Sequence, residues 1–166
     1  MKPEILIGDL VALSFRVGAV VNAANTKLLT GRGVCGVIFR AAGPGLHGAC
    51  DKVAPCPTGD ARMTPAFAIN AEHIIHAVGP KYRDGSAAEK ALLASAYTRA
   101  LQLADDAGLE SIAFPAISTG IYGFPPDEAA PVVHAAIAAF KPTSLKRCLL
   151  VYRSEESAAP ARQAAR

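Results

Sequence analysis

Two asparagines three apart, a glycine-rich turn and a thiol ten residues after the second asparagine make the stretch 22-NAANTKLLTGRGVCG-36 the chemically densest part of the chain. The carboxamides of Asn22 and Asn25 can each donate and accept hydrogen bonds. Glycines at 31, 33 and 36 allow backbone N–H groups to approach a bound molecule with no Cβ in the way. A second stretch, 118-STGIYGFP-125, has the same character, with a hydroxyl pair and a tyrosine among its glycines. Where such a turn runs into a helix, the helix N-terminus adds free donors and positive potential. Two turns of this kind could clasp a diphosphate from both sides with main chain alone; the plainer alternative is that the glycines only make tight turns.

The elements around these stretches decide between the two. Five short apolar runs, EILIG, VGAVVN, HIIHAV, SIAFP and CLLVY, have the length and β-branched content of buried strands. Helical patterns alternate with them. Ser86-Ala87-Ala88-Glu89 reads as a capping box. Behind it Leu93, Tyr97, Ala100, Leu101 and Ala104 share one helical face, and Gly108 is placed to end that helix. Residues 33–42 read as a second helix and 127–139 as a third, after Pro125-Pro126. Ser154 is a candidate cap for a last helix, although SAAPARQAAR reads as a fraying tail. Alternating strands and helices predict an α/β layer fold with a mostly parallel sheet. Ligands of such sheets bind beyond the carboxyl ends of the strands. Both glycine-rich turns follow predicted strands, which favours the ligand-binding alternative.

Composition narrows the field further. The 166 residues are 51% hydrophobic and 19% charged, which fits one folded domain. A net charge of +3 suits a small anion; with 6% aromatics there is no basic, aromatic stripe of the kind that stacks bases, so nucleic acid is not the expected partner. The start has no long apolar segment typical of a signal peptide, and no run reaches the ~18 apolar residues of a membrane span. Cys35, Cys50, Cys56 and Cys148 show no CxxC pairing and no histidine at ligand spacing, so we expect reduced thiols, no metal, no cofactor and a cytoplasmic monomer. A dinucleotide fingerprint carries its acidic partner on the next strand about 20 residues on, and no predicted strand follows the first turn at that distance. Neither GxxxxGK[ST] nor a GxSxG nucleophile elbow is present. His47, His73, His76 and His134 are scattered; His76 reads as a core residue and His47 as a surface one. Asp105-Asp106 reads as a solvated face.

GDL at 8–10, VVNAAN at 20–25, GRGVCG at 31–36, RAAGPG at 40–45, TGDA at 58–61, IIHAVGP at 74–80 and FPAISTGIYGFP at 114–125 resemble, in order, the motifs of the macrodomain family, over residues 5 to 153. The resemblance implies a three-layer α/β/α fold with a mixed, mostly parallel sheet and a cleft for ADP-ribose along its top. It implies Asp9 and Leu10 at the adenine, with Asp9 alternatively a turn cap. Gly31, Arg32, Gly33, Val34, Cys35, Gly36 and Val37 would hold the diphosphate together with Ser118, Thr119, Gly120, Ile121 and Tyr122. Asn25 would face the distal ribose, while Asn22 either touches ligand or ties the strand end to the loop backbone. Tyr122 would stand by the distal ribose or a phosphate, or wall the core. Arg153 would stack on adenine or lie solvated; Arg32 and Arg40 would lie near phosphate or on the surface.

Many hydrolytic members carry an aspartate ten residues after the second asparagine. Here that residue is Cys35, and Arg32 replaces a glycine. A cysteine in that place, with HAVGP and a strand ending VY, resembles the MacroD-like and alphavirus-like branch, which is associated with removing ADP-ribose from proteins. Cys35 is then either a small filler or, if the helix N-terminus lowers its pKa, a reactive thiol. The implied functions are hydrolysis of ester-linked ADP-ribose on proteins or on O-acetyl-ADP-ribose, with Asn25, Cys35 and Tyr122 as catalytic candidates, or non-catalytic reading of ADP-ribose and ADP-ribosylated proteins.

Overall fold

A computed structural model describes all of residues 1–166. Six strands, β1 (Glu4–Ile7), β2 (Val17–Ala23), β3 (Ala61–Pro65), β4 (Ala71–Ala77), β5 (Ser111–Phe114) and β6 (Arg147–Tyr152), form one sheet in the order β1-β6-β5-β2-β4-β3. The first five strands of that order are mutually parallel; only β3 runs antiparallel, along the edge of β4. Strands β2, β4, β5 and β6 are apolar on both faces, as strands sandwiched between helices must be. Their side chains alternate: Val21, Ile75, Phe114 and Leu150 point to one layer, and Val20, Ile74, Ala113 and Leu149 to the other.

Helices α3 (Ala87–Asp106) and α4 (Pro126–Ala139) cover the first face; α1 (Val34–Ala42) and α2 (Gly45–Val53) cover the second. The result is the three-layer α/β/α arrangement with a mixed sheet. All five residues of the predicted α3 face are buried, and Gly108 adopts φ +73° just beyond the helix end. The capping box is only half made. Ser86 Oγ accepts the Glu89 amide at 3.2 Å, but the buried Glu89 carboxylate reaches past Ser86 to the amides of Arg83, Asp84 and Gly85.

Three expectations are corrected. SAAPARQAAR does not fray: it lies largely in α5 (Glu155–Ala164), capped by Ser154 and Ser157, which exchange side-chain to backbone hydrogen bonds, and anchored by buried Ala158 and Ala161. Strand β3 and helix α2 were not anticipated. The first is an edge strand carrying Arg62 and Pro65, and the second holds Gly45 and Gly48 with only Leu46 and Cys50 buried. Asp105 is no solvated face. Its carboxylate is buried and accepts the Thr143, Ser144 and Leu145 amides and the Thr143 hydroxyl at 2.7–3.1 Å.

Those bonds, led by the Leu145 amide, hold the Asp105 carboxyl down at about 2. An unfolded aspartate titrates near ~3.9. The folded value is the lower one, so this contribution to stability is complete above ~4 and disappears as the pH falls toward 2. Asp105→Asn should therefore lower stability at neutral pH and flatten the dependence of the urea midpoint on pH between about 4 and 2.

Candidate functional site

Because five neighbouring strands are parallel, their carboxyl ends meet at one rim. The residues that follow them, Gly8–Val11 after β1, Asn25 after β2, Gly79 after β4, Pro115–Tyr122 after β5 and Arg153 after β6, line a cleft of about 700 Å³ with the start of α1. Every ligand-site residue singled out above lies on this cleft except Asn22 and Gly36, the latter being buried behind Gly31 at the start of α1. Arg40 lies on it too.

The loop before α1 owes its shape to glycine. Gly33 takes φ +60° at the N-cap, which offers no side-chain hydrogen bond to the first turn. A Cβ on Gly36 would stand 2.6 Å from the Gly31 carbonyl oxygen, so this backbone approach requires glycine. None of the amides of residues 32–36 is hydrogen-bonded within the protein. Across the cleft, Phe124 N donates to Ser118 O at 2.9 Å and Gly123 N to Gly120 O at 3.0 Å, which closes the second loop on itself. Ser118 holds φ +68° and Gly123 φ +74°. The amides of Gly120, Ile121 and Tyr122 are likewise unpaired. The Ser118 hydroxyl is buried at the cleft and has no partner. It lies so close over Gly79 that a Cβ there would collide with it. Gly79, in the HAVGP run, was passed over as a site residue; only its direct succession to β4 marks it.

At the β1 and β6 end, Asp9 Oδ1 accepts the Val11 amide at 3.2 Å while Oδ2 lies 3.8 Å from an Arg153 guanidinium nitrogen. Asp9 is thus a turn cap with one oxygen still turned outward, and its exposed ion pair with Arg153 adds little stability. Leu10 stands beside it, half-buried.

At the other end sits Asn25. Its carboxamide is turned back on the chain, with Nδ2 donating to Leu29 O at 2.8 Å and Oδ1 accepting from Leu29 N at 3.1 Å. Each half keeps one more hydrogen-bonding site. Tyr122 is half-buried against the cleft, and burial, with Cys35 nearby, raises its phenol. It therefore remains a neutral donor and acceptor.

Asn22 is corrected on both counts, since it neither lines the cleft nor binds loop backbone. It is 1% exposed and lies beneath the cleft floor, where Nδ2 donates to His76 Nδ1 at 3.0 Å and lies 3.8 Å from Cys35 Sγ. With Nδ1 accepting, the His76 proton sits on Nε2 and is directed at Thr64 Oγ1, 3.0 Å away. Burial lowers His76 to about 4, so it is a neutral core histidine, as its strand position predicted. His47 is exposed, as expected, with its ring 4.7 Å from that of Phe39.

The thiol of Cys35 occupies the second position of α1, but the helix N-terminus does not lower its pKa. Desolvation dominates the weak hydrogen bonds from Asn22 and the Gly31 amide, and pushes the thiol up. The Sγ is directed at Leu29 O, 3.5 Å away, the carbonyl that Asn25 Nδ2 also contacts. All four cysteines are free and buried. Cys50 and Cys56 are pushed up to about 11 and Cys148 to about 12, each chiefly by burial. No helix is long and apolar enough to cross a membrane.

The cleft thus offers two rows of unpaired amides, an orphan hydroxyl, a carboxylate at one end and a carboxamide with a phenol at the other. No carboxylate stands beside Asn25 in it. A Macro domain family model matches residues 21–133. A protein of Klebsiella pneumoniae named O-acetyl-ADP-ribose deacetylase is 46% identical over 96% of this chain and 93% of its own length. A Macro domain-containing protein of Methanosarcina mazei is 48% identical over 82% of this chain and 72% of its own. Among solved structures, a mutant of the Oceanobacillus iheyensis macrodomain with ADPR superposes with a TM-score of 0.89 at 35% identity, covering 99% of this chain and 95% of that one. The Trypanosoma brucei macrodomain in complex with ADP-ribose superposes with a TM-score of 0.85 at 30% identity, covering 98% and 68%. From the model match, the two relatives and the order of the motifs along the sheet rim, the chain belongs to the Macro domain family.

Proposed function

We propose that the cleft binds ADP-ribose and that the protein hydrolyses its esters, either O-acetyl-ADP-ribose or ADP-ribose carried on Asp or Glu of proteins. The observation that carries this reading is the pair of unpaired amide rows, 32–36 and 120–122, facing each other across a cleft with Asn25 at its end. Relatives support it: one bears the name of a deacetylase of O-acetyl-ADP-ribose, and structural neighbours are solved with ADP-ribose.

In this reading the adenine lies by Asp9, whose outward oxygen accepts from its amino group, and Arg153 swings from Asp9 to stack on the ring. The diphosphate fits between the amide rows, bent by the close approach of Gly31 and Gly36. The α1 N-terminus and Arg32, both on the cleft, add positive potential there. The distal ribose then meets Asn25 and Tyr122.

Hydrolysis needs a water aimed at the ester. The water's oxygen joins C1″ or the acyl carbon, the bond from that carbon to the bridging ester oxygen breaks with its electron pair leaving on that oxygen, and one proton of the water ends on the departing group or in solvent. Cys35 is no base for this step, because its thiol stays protonated through neutral pH. A phosphate oxygen of the substrate serves to orient the water, and Asn25 holds the ribose hydroxyls. Positioning of this kind supplies up to about 7–11 kcal/mol in favourable cases, and amides directed at developing charge add to it. Where water attacks C1″ of ADP-ribose carried on Asp or Glu, the departing carboxylate needs little protonation, which suits a site with no acid beside Asn25; where it attacks the acyl carbon of O-acetyl-ADP-ribose, the departing ribose oxygen takes up a proton of that water.

The expected result is measurable turnover of O-acetyl-ADP-ribose and of an ester-linked mono-ADP-ribosylated protein. Cys35→Ala should retain more than about a third of wild-type kcat, because it removes a filler rather than a base. A kcat reduced by two or more orders of magnitude would instead make the thiol a participant.

The high thiol pKa and the lack of a neighbouring carboxylate favour a second reading, a non-catalytic reader of ADP-ribose. It predicts calorimetric binding with no product from either ester after long incubation.

A further inference from the structure

A second groove, of about 870 Å³, opens from the same rim and shares Asn25, Gly79 and Tyr122 with the cleft. Asn25 and Gly79 follow β2 and β4, whereas Asp9 and Arg153 follow β1 and β6. The strand order therefore puts the junction at the end of the cleft away from Asp9. In the ester-hydrolase reading, a group esterified to a sugar held by Asn25 would emerge into this groove, since Asn25 and Tyr122 line both.

The walls of the groove are charged in an uneven way. Lys27, Lys81 and Arg83 line it, all are exposed, and none forms an ion pair. Its two acidic residues are already engaged with backbone. Glu89 is buried under the amides of Arg83, Asp84 and Gly85, and Asp84 accepts the Ser86 amide at 3.0 Å. The three cations, with Lys81 Nζ 5.6 Å from the centroid of the Tyr122 ring, thus outnumber the two carboxylates on this path, and they are exposed whereas the Glu89 carboxylate is buried. Tyr122 is the only aromatic ring on it, so it offers no run of platforms for stacked bases.

We propose that this groove receives the polypeptide around an ADP-ribosylated Asp or Glu and selects segments with further acidic residues beside the modified one. The inference rests on the ester-hydrolase reading and names the substrate class within it: acidic protein segments, over and above the small acetyl ester. Rim charges act mainly on encounter and on partner choice, so the selection should appear in kcat/KM and weaken with salt.

The test compares two ester-linked mono-ADP-ribosylated peptides, one flanked by Asp and Glu and one by Gly and Ser, against the wild type and the Lys27→Gln/Arg83→Gln variant, which spares the Lys81 contact with Tyr122. O-acetyl-ADP-ribose turnover and ADP-ribose affinity are measured in parallel. The wild type should prefer the acidic peptide by about tenfold in kcat/KM, and the variant by less than about threefold. Both proteins should handle O-acetyl-ADP-ribose and free ADP-ribose within about twofold of each other. Equal kcat/KM for the two peptides in the wild type overturns the inference, as does a preference untouched in the variant. Displacement of the acidic peptide by a single-stranded oligonucleotide, without displacement of ADP-ribose, overturns it in favour of a nucleic acid. Peptide affinity, read by competition with ADP-ribose, decides the groove separately from turnover. A protein that cleaves neither ester but still binds the acidic peptide about tenfold more tightly keeps the groove and loses the hydrolase reading.

Discussion

Replacing Asn25 by alanine is expected to lower turnover of ester-linked ADP-ribose by about 100-fold or more, equivalent to roughly 2.7 kcal/mol of transition-state stabilisation. The size follows from the site. With Cys35 protonated and no carboxylate at that end of the cleft, the arrangement of sugar and water carries the rate. Asn25 is the residue that can hold the ribose while its other bonds fix the loop, through both Leu29 contacts. Removing it takes away the ribose contact and loosens the 25–29 turn together. ADP-ribose affinity should fall less, by about tenfold or under, because the diphosphate and adenine contacts persist. Single-turnover kinetics beside calorimetry separates the two quantities. An equal loss in both would make Asn25 a ground-state binding residue.

A comparable loss, this time in affinity, is expected from Gly36→Ala. The new methyl group would sit 2.6 Å from the Gly31 carbonyl, and that neighbour is backbone. Either the loop or the first turn of α1 must move, and overpacking of this kind costs about 1–3 kcal/mol. The displacement falls on the amide row itself, so the dissociation constant for ADP-ribose should rise about 10- to 100-fold, with kcat/KM falling in parallel. Gly48→Ala in α2 is the matched control. A Cβ there meets nothing within 4 Å, and the change should preserve affinity and slightly favour the helix. A Gly36→Ala protein with wild-type affinity would mean that the row is not what grips the ligand.

Much of this architecture was legible because its signals were local. Strands apolar on both faces, the α3 stripe from Leu93 to Ala104 and the glycine turns after β2 and β5 each follow from sequence period or from backbone freedom. The cleft followed from the rule that parallel strands present their carboxyl ends together. What escaped reading depended on partners far along the chain. Strand β3 exists because β4 offers it an edge, and its Arg62 and Pro65 give no alternating apolar pattern. Helix α2 is held by Leu46 and Cys50 against the core despite two glycines. Helix α5, which reads as a loose Ala-rich end, is held by the burial of Ala158 and Ala161 beside α4 and β1.

The same distinction applies to side chains. Asn22 and Asn25 look equivalent in sequence, but the pleat of β2 buries the first beside His76 while the second stands past the strand end. Position at a helix start leaves a filler and a reactive, low-pKa thiol as alternatives for Cys35. The desolvation that outweighs the helix N-terminus comes from neighbours that no local motif specifies. Asp105 looked solvated beside Asp106, yet it binds three amides nearly forty residues away.

The central claim is that two facing rows of backbone amides grip a diphosphate. It is tested most directly by titrating ¹⁵N-labelled protein with ADP-ribose and following individual amide resonances. The account predicts saturable shifts concentrated at residues 32–36 and 120–122, with smaller ones at Asp9 and Asn25. Saturable binding that leaves both rows unshifted, or no binding at all, would contradict it.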